Sequence, residues 1–156
     1  MSETTGAPIQ GLSARAYRIP TDRPEADGTF AWNSTTLVFV TVEAGDQSGI
    51  GYTYADACAA SLVGTVLAAA IRQKNSFDIP ACWNAMQRAV RNIGRSGVAA
   101  CAISAVDTAL WDLKARCFDV PLAQLLGAAR TEVPVYGSGG FTTYTDEQLR
   151  EQLSGW

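Results

Sequence analysis

Residues 102–127 constrain this chain more than any other stretch. They read A-I-S-A-V-D-T-A-L-W-D-L-K-A-R, then C-F-D-V, then P-L-A-Q-L-L-G. With no glycine or proline until Pro121, and with alanine and leucine dominant, the run predicts one long helix over 98–117. At about 100° per residue, Val98, Ala102, Ala105, Val106, Ala109 and Leu113 share one apolar face. Ala100, Ile103 and Trp111 form a second, roughly opposite one. Such a helix is expected to lie between two layers, and its small residues allow backbones to approach closely. Asp107 falls on the second face. A carboxylate buried there needs a partner, and Arg91 and Arg95 are the candidates, in a structural role. Pro121 breaks the helix and Gly127 closes a short turn after it.

The segments around this helix set the fold class. Residues 9–19 alternate as a strand, with Leu12, Ala14 and Ala16 set against Ser13, Arg15 and Tyr17. Residues 20–29 read as a loop, broken by Pro20, Pro24 and Gly28, with an unusually apolar tip at Phe30-Ala-Trp32. Residues 34–44 form the clearest strand: Val38, Val40 and Val42 share one face and Leu37 and Phe39 the other. Gly45-Asp46 turns the chain into a third strand over 48–54. Three strands joined by loops predict an antiparallel meander. Helices follow. Residues 55–73 are apolar all round and so are expected to be buried. Asp78 caps a helix that Pro80 starts and that runs to about Ile93, with Trp83, Met86, Val90 and Ile93 along one stripe. Arg88, Arg91 and Arg95 fall off it onto a solvated face. Residues 133–136 predict a short strand, Gly137-Ser-Gly-Gly140 a glycine-rich loop, and Thr145-Asp-Glu-Gln148 a capping box that opens a helix.

Composition removes several functions. The chain has 156 residues, 47% apolar and 17% charged, with a net charge of -3. It is globular in character and carries no basic footprint for nucleic acid. No apolar run is long enough to cross a bilayer, and no leader pattern opens the chain. Cys58, Cys82, Cys101 and Cys117 lack zinc-type spacing, and each lies in a predicted helix among small apolar residues. They are expected to be reduced core or near-core thiols of a cytoplasmic protein. There is no histidine, which excludes a Ser-His or Cys-His pair and any histidine metal site. Gly137 to Thr142 fails G-x-G-x-x-G, because Thr142 stands at the third glycine position, so a nucleotide cradle is disfavoured.

The segment 102–127 resembles the signature of the mandelate racemase/muconate lactonizing branch of the enolase superfamily. The match runs through Ala102, Ser104, Ala105, Val106, Asp107, Ala109, Leu110, Asp112, Leu113, Ala115, Arg116, Pro121, Leu122, Leu125, Leu126 and Gly127. The resemblance implies an α+β fold: a three-stranded antiparallel meander followed by a helical bundle, as in the enolase N-terminal domain, and then the start of a (β/α) barrel. On this pattern residues 1–130 are the capping domain. Residues 131–156 are the first β/α unit of an incomplete barrel, and the long helix is wedged between cap and barrel.

The implied chemistry is abstraction of a proton α to a carboxylate, with Mg2+ stabilising the enediolate and Lys or His as base. The implied outcomes include acid-sugar dehydration and racemisation of a small carboxylate substrate. The resemblance places substrate under two capping loops, here residues 21–32 and 49–56. They offer Arg23 to meet an anion, Phe30 and Trp32 to exclude water, and Tyr52 and Tyr54 to offer hydroxyls. Ser138 would sit at the mouth of barrel strand one. No catalytic residue and no magnesium ligand of the family maps onto this sequence, so the chain alone is expected to be inactive and to bind no metal. Unpaired strand edges and exposed apolar surface would favour a homo-oligomer. The other reading of the same residues is a standalone, non-catalytic α+β binding module.

Overall fold

The computed structural model describes residues 5–156. Three strands, β1 (Ile9–Ala26), β2 (Ala31–Ala44) and β3 (Gln47–Tyr54), form one antiparallel sheet in the order β1-β2-β3. Then come α1 (Cys58–Leu62), a single π-helical turn (Val63–Leu67), α2 (Ala68–Ile71), α3 (Ile79–Ala89), α4 (Val98–Cys117), α5 (Leu122–Leu125) and α6 (Asp146–Ser154). This is the antiparallel meander and helical bundle that the resemblance implies. Among the described residues no helix is long and apolar enough to cross a membrane.

The chain gathers into two compact groups. One holds the residues up to Tyr17 together with Thr36–Ala128, and the other holds Arg18–Thr35 together with Ala129–Trp156. The first contains the main core. Val38, Val40 and Val42 of β2 point inward and are fully buried, as their alternation predicts. They meet Val63, Leu67 and Ile71 below, with Met86, Val90 and the inner residues of α4.

The packing of α4 on β3 is the tightest in this group. On β3, Gly49 and Gly51 face inward and are buried, while Ile50, Tyr52 and Tyr54 face outward. A Cβ on Gly49 would strike the backbone of Ala109 and Leu113, and one on Gly51 the backbone of Ala105 and Ala109. Glycine is needed at both positions because helix backbone occupies the space a side chain would take. The alanines read in the sequence as permitting close approach are the other half of that contact. The edge strand is also tied to the helix by polar atoms: the Ile50 amide donates to Asp112 Oδ2 at 2.8 Å, and Arg116 Nε donates to the same oxygen at 2.8 Å.

Helix α4 spans the expected residues and does lie between two layers, but its second layer is the chain's own α1 and α3. Ala99, Ile103, Val106 and Leu110 are buried, whereas Ala100, Ser104 and Thr108 form the exposed stripe. The expected second face therefore holds at Ile103 and fails at Ala100. Neither Arg91 nor Arg95 pairs with Asp107. Among the described residues Asp107 forms no ion pair, and Arg95 instead lies over the Trp83 ring, 5.7 Å from its centroid.

Other expectations give way for identifiable reasons. β1 runs through Pro20 and Pro24 to Ala26, because an edge strand needs no amide on its open side and so tolerates proline. The chain reverses only at residues 27–30, where the Asp27 amide donates to the Phe30 carbonyl at 2.9 Å. Residues 55–73 form no single α-helix, since the π turn interrupts them. The helix expected to reach about Ile93 ends at Ala89, so Ile93 lies beyond it and is 60% exposed, while Trp83 at the other end of the stripe is 37% exposed. Of the cysteines, Cys82 is buried and Cys101 and Cys117 half-buried, but Cys58 is exposed. Val133–Tyr136 carries β-forming residues but pairs with no strand among the described residues, and Val135 and Tyr136 are almost fully exposed. The Thr145 capping box is present as read, with both its hydrogen bonds formed.

Substituting Gly51 by Ala should lower stability by about 1–3 kcal/mol, because the collision is with backbone that cannot step aside. Gly64→Ala should instead raise it by about 0.5–1 kcal/mol, since nothing lies within 4 Å of a Cβ there. Urea unfolding midpoints of the two variants against the parent check the opposite signs.

Candidate functional site

The second group is built around the tip of the β1–β2 hairpin. Asp27 makes the turn. Its Oδ1 accepts from the Thr29 amide at 2.6 Å, the Thr29 hydroxyl at 2.8 Å and the Phe30 amide at 2.7 Å. The Phe30 bond, then the two from Thr29, hold the Asp27 carboxyl below the ordinary carboxylate range. The backbone of Phe30 is thus pinned while its ring is 75% exposed.

Trp32 is held quite differently. Its Nε1–H donates to Glu25 Oε2 at 2.6 Å, and its ring meets Phe141 edge-on, 5.7 Å between centroids at 90°. Phe141 in turn meets Tyr144 edge-on at 5.4 Å. The segment carrying these rings is fastened to the hairpin by backbone atoms. The Thr142 amide and hydroxyl donate to the Ala26 carbonyl at 2.9 and 3.1 Å, and the Thr143 hydroxyl to the Pro24 carbonyl at 2.7 Å. Arg23 Nη2 reaches Glu151 Oε2 at 3.4 Å, an exposed and long ion pair. Such a pair contributes little, so an incoming anion can displace Glu151 from the guanidinium.

Ser138 is exposed, between glycines whose faces are already occupied. A Cβ on Gly137 would strike the Trp156 ring, and one on Gly139 both that ring and the Gln152 side chain. The Gly140 amide donates to Gln152 Oε1 at 3.0 Å. These glycines accommodate the chain's own Trp156 and Gln152, which accounts for them without any bound phosphate.

In the first group, Tyr52 and Tyr54 stand on the outer face of β3, 60% and 63% exposed, with their rings edge-to-face at 6.1 Å. Opposite them on β2 are Phe39, paired with Tyr52, and Leu37, paired with Tyr54. Sequence reading thus named Arg23, Phe30 and Trp32, and the fold keeps them on one hairpin. It named Tyr52 and Tyr54, and the fold sets them side by side. It missed Glu25, Asp27, Phe141, Tyr144 and Glu151. Only Asp27 had a local signal, since Asp-Gly-Thr is turn chemistry. The other four act through contacts no local pattern encodes.

Three of the thiols are shifted towards their protonated form. Burial pushes the Cys82 thiol up to about 11. The Asp56 carboxylate, hydrogen-bonded to Cys58, raises that thiol as well. Burial raises Cys117, and a thiol above its ordinary value stays protonated at neutral pH. Asp107 is raised by desolvation alone. Among the described residues, no three Asp, Glu or Cys side chains gather as a metal shell would require.

Comparison with known proteins places this geometry in a family. The model of the mandelate racemase/muconate lactonizing enzyme N-terminal domain matches residues 15–127. The chain belongs to that family, within the enolase superfamily. It is 36% identical over 137 residues to the 3,6-anhydro-alpha-L-galactonate cycloisomerase of Streptomyces coelicolor, an alignment spanning 84% of this chain and 38% of that protein. A mandelate racemase/muconate lactonizing enzyme-like protein from Rubrobacter xylanophilus superimposes with a TM-score of 0.92 at 50% identity, over 96% of this chain and 42% of that one. The L-talarate/galactarate dehydratase of Salmonella typhimurium, whose crystal structure holds Mg and L-lyxarohydroxamate, superimposes with a TM-score of 0.82 at 27% identity, over 99% and 42%. The chain thus spans about two-fifths of the length of these relatives.

Two pH effects follow. The Asp27 carboxyl is depressed, so its contribution to the turn is complete above the unfolded value of about 4 and is lost as pH falls through the lower folded value. The Thr29 and Phe30 amide resonances should titrate below the usual carboxylate range, and Asp27→Asn should abolish that titration. The Asp107 carboxyl is raised, so its ionisation opposes folding as pH climbs from the unfolded value through the folded one. Asp107→Asn should therefore raise the urea midpoint at pH 7 and leave it unchanged near pH 3.

Proposed function

We propose that this chain is the capping part of a magnesium-dependent acid-sugar dehydratase, cycloisomerase or racemase, with residues 1–130 as the cap and 131–156 as the first β/α unit of a barrel. The observation that carries this reading is the family fold combined with the side chains it leaves exposed. Arg23, Phe30, Tyr52 and Tyr54 remain at the surface of the folded chain, and Trp32 is only half-covered. They are the residue types a lid over a small carboxylate needs. Arg23 exchanges its weak bond to Glu151 for a substrate carboxylate, Phe30 and Trp32 exclude water, and the two tyrosine hydroxyls bind sugar hydroxyls. Excluding water strengthens the electrostatics of a proton abstraction α to the carboxylate. Ser138 lies at the mouth of the first barrel strand. On this reading Val133–Tyr136, unpaired among the described residues, supplies that strand, and its exposed Val135 and Tyr136 favour association of copies.

The base and the metal ligands belong to the remaining three-fifths of the relatives' length, so this chain by itself is inactive. The test is an acid-sugar panel with Mg2+, assayed on the 156-residue chain and on the longer protein that carries it. The chain alone should give no turnover. In the longer protein Arg23→Ala and Tyr54→Phe should each raise KM about tenfold or more, the loss expected for a hydrogen bond to a charged or buried polar group. Turnover by the chain alone, or unchanged KM in both variants, overturns the reading.

A further inference from the structure

Trp32 borders a shallow depression of about 310 Å³ with Pro24, Ala31 and Asn33. Its exposed wall is an indole whose two degrees of side-chain freedom are both restrained. The hydrogen bond from Nε1 to Glu25 Oε2, at 2.6 Å, fixes the ring edge. The perpendicular contact with Phe141 at 5.7 Å fixes the ring plane. Glu25 lies seven residues before Trp32, across the hairpin, so the bond spans the two strands at the tip. Phe141 is brought to the ring by Thr142 and Thr143, whose bonds to the Ala26 and Pro24 carbonyls leave it little freedom to withdraw.

We propose that Glu25 is a positioning residue for Trp32, holding the indole so that its ring face is presented to the depression beside Pro24, Ala31 and Asn33. Indole nitrogen is a donor only. With that donor occupied by Glu25, Trp32 has no polar atom left for a ligand and presents its ring face alone. Asn33 is then the polar group on the rim. Because the ring is oriented before any ligand arrives, its ordering does not have to be supplied by binding. This inference rests on the reading of the hairpin tip as a lid.

The test uses the 156-residue chain with 15N-labelled indole groups, the Trp32 resonance being assigned by its loss in Trp32→Phe. In the parent the Trp32 Nε1–H should exchange with water at least tenfold more slowly than that of Trp156. Glu25→Ala should remove that protection and shift the Trp32 resonance. Glu25→Gln, which keeps an acceptor oxygen, should restore both. Trp83 and Trp111 resonances report whether each variant is folded. Should Glu25→Ala fail to fold, Phe141→Leu gives the second measure, a broadened Trp32 resonance with Trp83 unchanged. Unaltered exchange and shift in Glu25→Ala overturn the positioning role. In the longer protein, Glu25→Ala should raise KM, as should Trp32→Phe. If Trp32→Phe leaves KM unchanged while the indole measurements behave as stated, the lid reading fails and the positioning stands. If Trp32→Phe raises KM but Glu25→Ala leaves the indole unmoved, the positioning fails and the lid reading stands.

Discussion

The first compact group depends on one close contact, the backbone of α4 against the backbone of β3. Gly49 and Gly51 on the strand meet Ala105, Ala109 and Leu113 on the helix with no room for a Cβ between them. Close-packed interiors forgive volume errors poorly, and here the error would fall on main chain, the least yielding neighbour. The contact also resolves an edge-strand problem. β3 ends the sheet, and an open edge invites pairing with other chains. Asp112 closes part of that edge by accepting the Ile50 amide while Arg116 holds its carboxylate in place. Asp112, an acid of the signature segment, thus has a structural duty.

The same contact determines what the outer face of β3 displays. Side chains alternate along a strand, so a strand with glycine at 49 and 51 on its helix side puts residues 50, 52 and 54 on the other. Those positions hold Ile50, Tyr52 and Tyr54, all exposed. A slip of one residue would drive tyrosine into the helix and turn glycine outward. The register that buries the small residues is therefore also the register that presents the aromatic ones. Stability and display are one constraint read from two sides.

Much of this was legible in the sequence, and the reasons differ by element. Helix α4 was read to its residue limits because twenty positions without glycine or proline leave few alternatives. The inward valines of β2 follow from period two. The extension of β1 past Pro20 was hidden, because proline argues against a strand unless the strand is known to lie at an edge, and sheet order is a tertiary fact. The π turn at Val63–Leu67 has no local signature to separate it from the α-helix around it. Val133–Tyr136 reads as a strand by composition, yet strand geometry requires a partner that local composition cannot supply. At the hairpin tip, Arg23, Phe30 and Trp32 stood out as residue types. Their bonds to Glu151, Asp27 and Glu25 did not, and two of the tip's anchors lie 116 and 119 residues from the carbonyls they hold.

That sequence separation also says something about where order is weakest. The first group is knit by a buried apolar cluster and by the α4–β3 contact. The second has no buried residue on α6 and is held by exposed and partly buried hydrogen bonds, two edge-on ring contacts and one long ion pair. Segments with few buried apolar contacts and exposed hydrogen bonds occupy the low-stability end of a fold, and bonds between residues so far apart in sequence form late, after the nearer contacts that shorten the loop between them. Within the tip the restraint is uneven. The Trp32 ring is fixed at edge and plane, whereas Phe30 is fixed only through its backbone and leaves its ring free. The hydrogen bond from Trp32 to Glu25 lies within the hairpin itself and so does not depend on the bonds to residues 141–143. Order is thereby carried at the wall even where the fold around it is loosest.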